Sequence, residues 1–128
     1  MSRESDLDVV QRWVCAVREG DWDTCADLLD LNAVHRFHSL PEEHGRDSIV
    51  NAARSRAVLE MVVDQDAFVA DGSGRVWWRY NLSWPDERSG EVTSTTGAST
   101  AVIVDGRIVE YEGWIDLSFR LSETSPTQ

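Results

Sequence analysis

The chain has 128 residues, 41% of them hydrophobic and 27% charged, the composition of one globular domain long enough to bury a core without disulfide or metal staples. Twelve basic residues against 23 acidic ones leave a net charge of −11, and every basic residue is arginine. A surface this acidic repels phosphate backbones and anionic lipid, and no apolar run reaches the roughly 18 residues of a membrane span. The polar start MSRESDLDVV is unlike a secretory signal, so a cytoplasmic protein with neither nucleic acid nor membrane partners is expected.

In chain order, Ser5 with Asp8 three residues on reads as a capping box. Leu7, Val10, Trp13, Val14 and Val17 follow at helical spacing and Gly20 reads as the stop, which predicts a helix over 6–19. Asp21 can cap a second short helix through Leu29, and Val34 to His38 reads as a short strand. Cys15 and Cys25 fall in the helical stretches and are expected to be buried packing residues. Pro41 and Gly45 make the next segment a loop, and Asp47 caps a third helix with Ile49, Ala52, Ala53 and Arg56 on adjoining positions, ending before Val58.

From Val58 the period becomes alternating. Strands are predicted at about 58–70, 75–84, 91–104 and 107–119, separated by the turns DGSG, PDERSG and DG. Helices first and a run of antiparallel strands afterwards predict an α+β domain in which a curved antiparallel sheet wraps the N-terminal helices. One domain is expected over 1–121 with a frayed tail, SETSPTQ, over 122–128.

Three stretches, VVQRWVCAVREGDWD, LPEEHGRDSI and VIVDGRIVEYEGWIDL, carry a resemblance that covers nearly the whole chain. The chain resembles the SnoaL-like and limonene epoxide hydrolase-like members of the nuclear-transport-factor-two-like superfamily. The resemblance implies a cone-shaped scaffold with a pocket on the concave side of the sheet. That scaffold hosts isomerases, dehydratases, cyclases, hydrolases and non-catalytic binding modules, so it does not fix the chemistry. Against the epoxide hydrolases, the water-positioning tyrosine and asparagine fall at His35 and Phe37 and the catalytic acid at Gly113. Their arginine and aspartate pair falls near Arg79 and Asn81, or one residue later at Tyr80 and Leu82. Against ketosteroid isomerase, the oxyanion tyrosine matches Trp13, the base aspartate lies near Arg36 and the oxyanion aspartate near Thr100. Neither mechanism transfers intact, and epoxide hydrolysis is not expected where glycine replaces the acid.

All three histidines lie in the stretch AVHRFHSLPEEHGRD. Strand alternation separates His35 from His38, and the loop carries His44 away, so a shared metal is not expected. His35 shares a face with Phe37, and the resemblance turns that face toward the pocket; the residue reads as a general base or as a satisfied core histidine. Val76, Trp78, Tyr80, Leu82 and Trp84 form the more apolar face of their strand, which points Tyr80 inward, whereas the epoxide hydrolase alignment would point Arg79 inward. The small residues from Ser94 to Ala101, Gly97 among them, are expected to leave a cavity unless aromatic rings fill it. In the last strand, Val109, Tyr111, Gly113, Ile115 and Leu117 alternate with Glu110, Glu112, Trp114 and Asp116; a bulge at Gly113 would turn Trp114 and Asp116 inward.

The expectation is a SnoaL-like enzyme of the isomerase, cyclase or dehydratase type that moves a proton on an apolar, oxygenated substrate without metal or organic cofactor. His35 would be the base, Tyr80 or Arg79 would stabilise negative charge on a substrate oxygen, and Asp116 would orient the histidine or act as acid. Trp13, Phe37, Trp78, Leu82, Gly97, Tyr111 and Trp114 would line the site of a small hydrophobic molecule. The alternative is a binding or dimerisation module that turns nothing over. Exposed tryptophan on the outer face of the sheet, Trp77 and Trp114, predicts a homodimer.

Overall fold

The computed structural model describes residues 3–37, 40–57, 62–85 and 88–115. The elements are α1 (Arg3–Glu19), α2 (Trp22–Leu28), β1 (Leu29–Phe37), β2 (Glu43–His44), α3 (Arg46–Ala57), β3 (Val62–Ala70), β4 (Arg75–Pro85), β5 (Val92–Val104) and β6 (Arg107–Ile115). The strands form one six-stranded open sheet in the order β2-β1-β6-β5-β4-β3. The pairing of β1 with β6 is parallel, so the sheet is mixed rather than wholly antiparallel.

Helix α1 packs on the concave face through the stripe Asp6, Val9, Val10, Trp13, Val14 and Ala16, the i, i+3/i+4 spacing of an amphipathic helix. It starts at Arg3, so Ser5 lies inside the first turn and not at a capping box. Gly20 ends it at φ +71°, where the Asp21 N–H reaches back to the Ala16 carbonyl at 2.9 Å and the Gly20 N–H to Val17 at 3.2 Å, a closure that favours glycine at the left-handed position. Asp21 caps α2 as expected.

Two local expectations are corrected and one alternative is excluded. The segment read as a loop before Gly45 contains β2, which pairs Glu43 with His35 and His44 with Val34. β1 would otherwise present unpaired backbone groups at the sheet edge; the Gly45 N–H also bonds the Ala33 carbonyl at 2.8 Å. No bulge occurs at Gly113: register runs unbroken from Glu110 to Ile115, and the irregularity falls between Glu110 and Ile108, at Val109. Helix α3 begins at Arg46, leaving Asp47 in its first turn with Ile49, Val50 and Ala53 buried. Residues 58–61 of the strand predicted over 58–70, and everything after Ile115 including the tail, lie outside the described residues.

Candidate functional site

Alternation sends Ala33, His35 and Phe37 of β1 inward, with Val76, Trp78 and Tyr80 of β4 at 0%, 2% and 6% exposure. The registers join these positions into rows across the concave face. One row runs Glu43, His35, Tyr111, Ala101, Val76 and Ala70; the next runs Phe37, Gly113, Ser99 and Trp78; a third runs Ile115, Gly97, Tyr80 and Gln65.

The first two rows meet in an aromatic cluster. Tyr111 is its hub, with the His35 ring at 4.5 Å, Trp78 at 5.5 Å and Trp13 at 5.9 Å, all edge-on, the arrangement ring quadrupoles favour. Phe37 lies 6.3 Å from His35, and Phe68 stacks on Trp78. The Trp78 indole N–H donates to Gln65 Oε1 at 2.6 Å, which satisfies its polar atom inside the core.

His35 is 4% exposed, and its Nδ1 lies 2.6 Å from Glu43 Oε1. Glu43 was not among the residues singled out from the sequence, because its segment reads as a loop. No local signal could have found it, since EEH is polar throughout; only the pairing of β2 with β1 sends Glu43 one way and Glu42 and His44 the other. On that other side Glu42 pairs with Arg36 at 3.2 Å and with His44 at 3.1 Å, and Arg36 also reaches Glu110 at 3.7 Å. His44 is thus an exposed outer-face residue, and His38 lies outside the described residues.

The remaining predicted site residues divide. Tyr80 faces inward, but it lies four residues along β4 from Val76 in the His35 row, about 13 Å at the usual strand rise. Its hydroxyl donates to the Trp114 carbonyl at 2.8 Å. Gly97 lies beneath it, and a Cβ there would collide with the Tyr80 ring and the Trp114 carbonyl. The volume left by Gly97 is therefore filled by Tyr80, and Phe37 packs over Gly113 in the same way, 3.0 Å from where a Cβ would stand. At these two glycines the rings fill the space that small residues alone would leave open. Arg79 is on the outer face, held by Asp66 through bonds of 3.0 and 2.9 Å; the alignment that turned it inward is corrected. The hydrogen bonds and charge of Arg79 hold the Asp66 carboxyl below its usual range. Trp114 alternates outward with Glu112. Leu82 pairs with Val63 and Thr95 in the sheet, and Asp116 lies outside the described residues.

Two further features lie near this face or behind it. Asp6 is fully buried on α1 and neither carboxylate oxygen has a hydrogen-bond partner. Cys25 is buried in the core, where loss of solvent, then the Asp21 charge, pushes its thiol up to about 11, while Cys15 is exposed, so only one of the two cysteines is the expected packing residue. Among the described residues no three His, Cys, Asp or Glu side chains are grouped to hold a metal ion. A cleft of about 290 Å³ lies away from His35, between α2 and α3, with Trp22, Asp47 and Arg54 in its wall.

Comparison with known proteins agrees with this architecture. The profile of the SnoaL-like domain matches residues 10–111. A candidate polyketide cyclase from Xanthomonas campestris pv. campestris is similar at 20% identity and TM-score 0.78, over 95% of this chain and 98% of that one. An LEH-like epoxide hydrolase from M. tuberculosis is similar at 16% identity and TM-score 0.78, over 94% and 89%. A candidate ketosteroid isomerase from Kribbella flavida matches at 16% identity and TM-score 0.78, over 89% and 79%. At these identities the likeness is one of fold. No curated protein matches the sequence.

Proposed function

Because the chain belongs to the SnoaL-like domain family, we propose that its concave face is a small-molecule site and that it transfers a proton on an apolar, oxygenated substrate, with His35 as the base. The observation that carries this reading is the placement of His35: an imidazole 4% exposed, among aromatic rings on the concave face of the sheet. Imidazole is the side chain suited to accept and return a proton near neutrality. In an isomerisation the C–H electron pair would stay on the substrate as an enolate, and the ring would return the proton to another substrate atom. Three of the strand arginines, Arg36, Arg75 and Arg79, pair or stack on the outer face and the fourth, Arg107, is exposed, which favours an uncharged substrate over a carboxylate or phosphate. Tyr80 we assign to the wall of the site, since its hydroxyl is engaged by the Trp114 carbonyl. His35→Gln should abolish turnover of a substrate found by thermal-shift screening of neutral lipophilic compounds while leaving its binding largely intact; unchanged turnover would return His35 to a core role. Limonene oxide should not be hydrolysed, because Gly113 has no proton to give.

A second copy is the partner we propose for the outer face. Val69, Trp77 and Val104 are 60%, 47% and 50% exposed there, with Arg75 stacked over Trp77 at 5.5 Å. Across the same face, in the row through Thr100, stands Glu112 with Glu110 beside it. A two-fold axis near Thr100 would set the arginine and tryptophan side of each copy on the glutamate side of the other. Light scattering at high micromolar concentration should report twice the 14.4 kDa chain mass; a monomer would exclude this partner.

A further inference from the structure

We infer that Glu43 is a positioning residue for His35: by accepting the Nδ1 proton it holds the imidazole in the tautomer whose Nε2 is free of a proton, and it is the counter-charge for the imidazolium formed when Nε2 takes one. The inference rests on the reading of His35 as the base.

The geometry carries each part. The 2.6 Å separation of Nδ1 and Oε1 is that of a hydrogen bond to an ionised acceptor. A carboxylate can only accept, so Nδ1 must be the protonated nitrogen and the lone pair falls to Nε2. Nε2 is itself shielded from solvent, on the side of the ring away from the sheet edge. The two partners differ in wetness: the His35 side chain is 5% exposed and that of Glu43 22%. The carboxylate therefore keeps some hydration while the ring sits in an aromatic surround, and a cation created on that ring would be costly without a neighbouring anion.

Among the described residues, the neighbours of the ring on β1 and β6 do not supply that charge. Phe37 on its own strand and Tyr111 on β6 are neutral, and Arg36, Glu110 and Glu112 alternate to the outer face. Glu43 reaches the ring because β2 pairs His35 with Glu43. That two-residue strand is tied from behind by the ion pair of Glu42, the residue before it, with Arg36 of β1. The sheet edge, where a stray strand would invite aggregation, is used to hold a carboxylate in register with the base.

The arrangement is open to nuclear magnetic resonance without a substrate. Protein labelled with ¹⁵N-histidine is compared as wild type, Glu43→Gln and Glu43→Ala at pH 8, with His35→Gln to assign the signal. The wild type should show His35 protonated at Nδ1 and unprotonated at Nε2. Glu43→Gln keeps an oxygen acceptor and should keep that tautomer, whereas Glu43→Ala should give the mixture of a free imidazole. On acidification, uptake of the second proton by His35 should be disfavoured about 10- to 10³-fold in Glu43→Gln relative to wild type, the effect of losing an opposite charge at this range. A wild-type ring protonated at Nε2 at pH 8, a tautomer unmoved in Glu43→Ala, or a titration unmoved in Glu43→Gln would each overturn the inference. Because none of these readouts uses turnover, they stand apart from the His35→Gln activity test, and either reading can fail without the other.

Discussion

His35 and Tyr80 lie on the same concave face, each with its polar atom hydrogen-bonded, and yet they belong to different kinds of neighbourhood. At the β1–β2 edge the contact joins two side chains, His35 and Glu43, both of a titratable kind. In the β4–β5 centre the contact joins the Tyr80 hydroxyl to the Trp114 backbone carbonyl, over a glycine that leaves room for the ring alone. The first arrangement can store and release a proton; the second fastens β4 to β6 across β5. An inward tyrosine is thus no better evidence of catalysis than its hydrogen-bond partner makes it.

The largest effect that separates the two regions should be on rate. His35→Gln is expected to reduce turnover by about 10²- to 10⁴-fold, the range for losing a general base, with little change in melting temperature. Tyr80→Phe should leave turnover within about tenfold, since only a backbone tie is lost. Parallel kinetics on the two variants decide the matter, and a Tyr80→Phe enzyme as dead as His35→Gln would move the reacting centre toward β4.

The next effect concerns stability and contrasts two glycines. Gly97→Ala drives a methyl group into both the Tyr80 ring and the Trp114 carbonyl, and backbone cannot step aside as a side chain can. A loss of about 1–3 kcal/mol is expected. Gly113→Ala meets only the Phe37 ring at 3.0 and 3.3 Å and Ser99 Oγ at 3.6 Å, and a ring can tilt by a few tenths of an ångström. Its cost should be clearly smaller, with the disturbance passed to Phe37 and so to the His35 side of the site. Urea unfolding of the two variants provides the comparison, and equal losses would show that the β1–β6 region is packed as tightly as the centre.

Tyr80→Phe itself should lower stability by about 1 kcal/mol, the usual net worth of one intramolecular hydrogen bond, measured by the same urea transitions. A neutral or stabilising result would mean that Trp114 finds another donor.

These contrasts follow the line between what was legible in the sequence and what was not. The alternation of RVWWRYNLSW placed Val76, Trp78 and Tyr80 inward, because one face of a strand buried on a core must be apolar. The spacing of Val10, Trp13 and Val14 placed α1 on the sheet for the same reason. Local patterns could not show that β1 runs parallel to β6, a pairing between residues nearly eighty positions apart that no turn records. Nor could they show Glu43 beside His35: β2 is two residues long, and Pro41 and Gly45 give its surroundings the composition of a loop. Gly113 left two readings open for a related reason. Glycine in a strand serves either backbone irregularity or a close neighbour, and here the neighbour, Phe37, is distant in sequence.

The smallest expected effect lies upstream of the β1–β2 edge and tests whether the two regions are coupled. Asp21 caps α2, accepting the Thr24 hydroxyl at 2.7 Å and the Thr24 N–H at 3.2 Å. These bonds favour the ionised carboxylate and hold it below its ordinary value of 3.8. A folded-state value depressed in this way stabilises the fold above pH 3.8, and that contribution is lost as the pH falls through the lower folded value. Asp21→Ala should therefore melt slightly below wild type at pH 7, and the gap should close toward pH 2. Leu29 is both the residue that ends α2 and the first of β1, so the loosening should enter the strand that carries His35. Hydrogen exchange at pH 7 should quicken in α2 and at the start of β1, with the amides shared by β4 and β5 unchanged. Quickening spread evenly over both regions would show that the edge and the centre open as one unit.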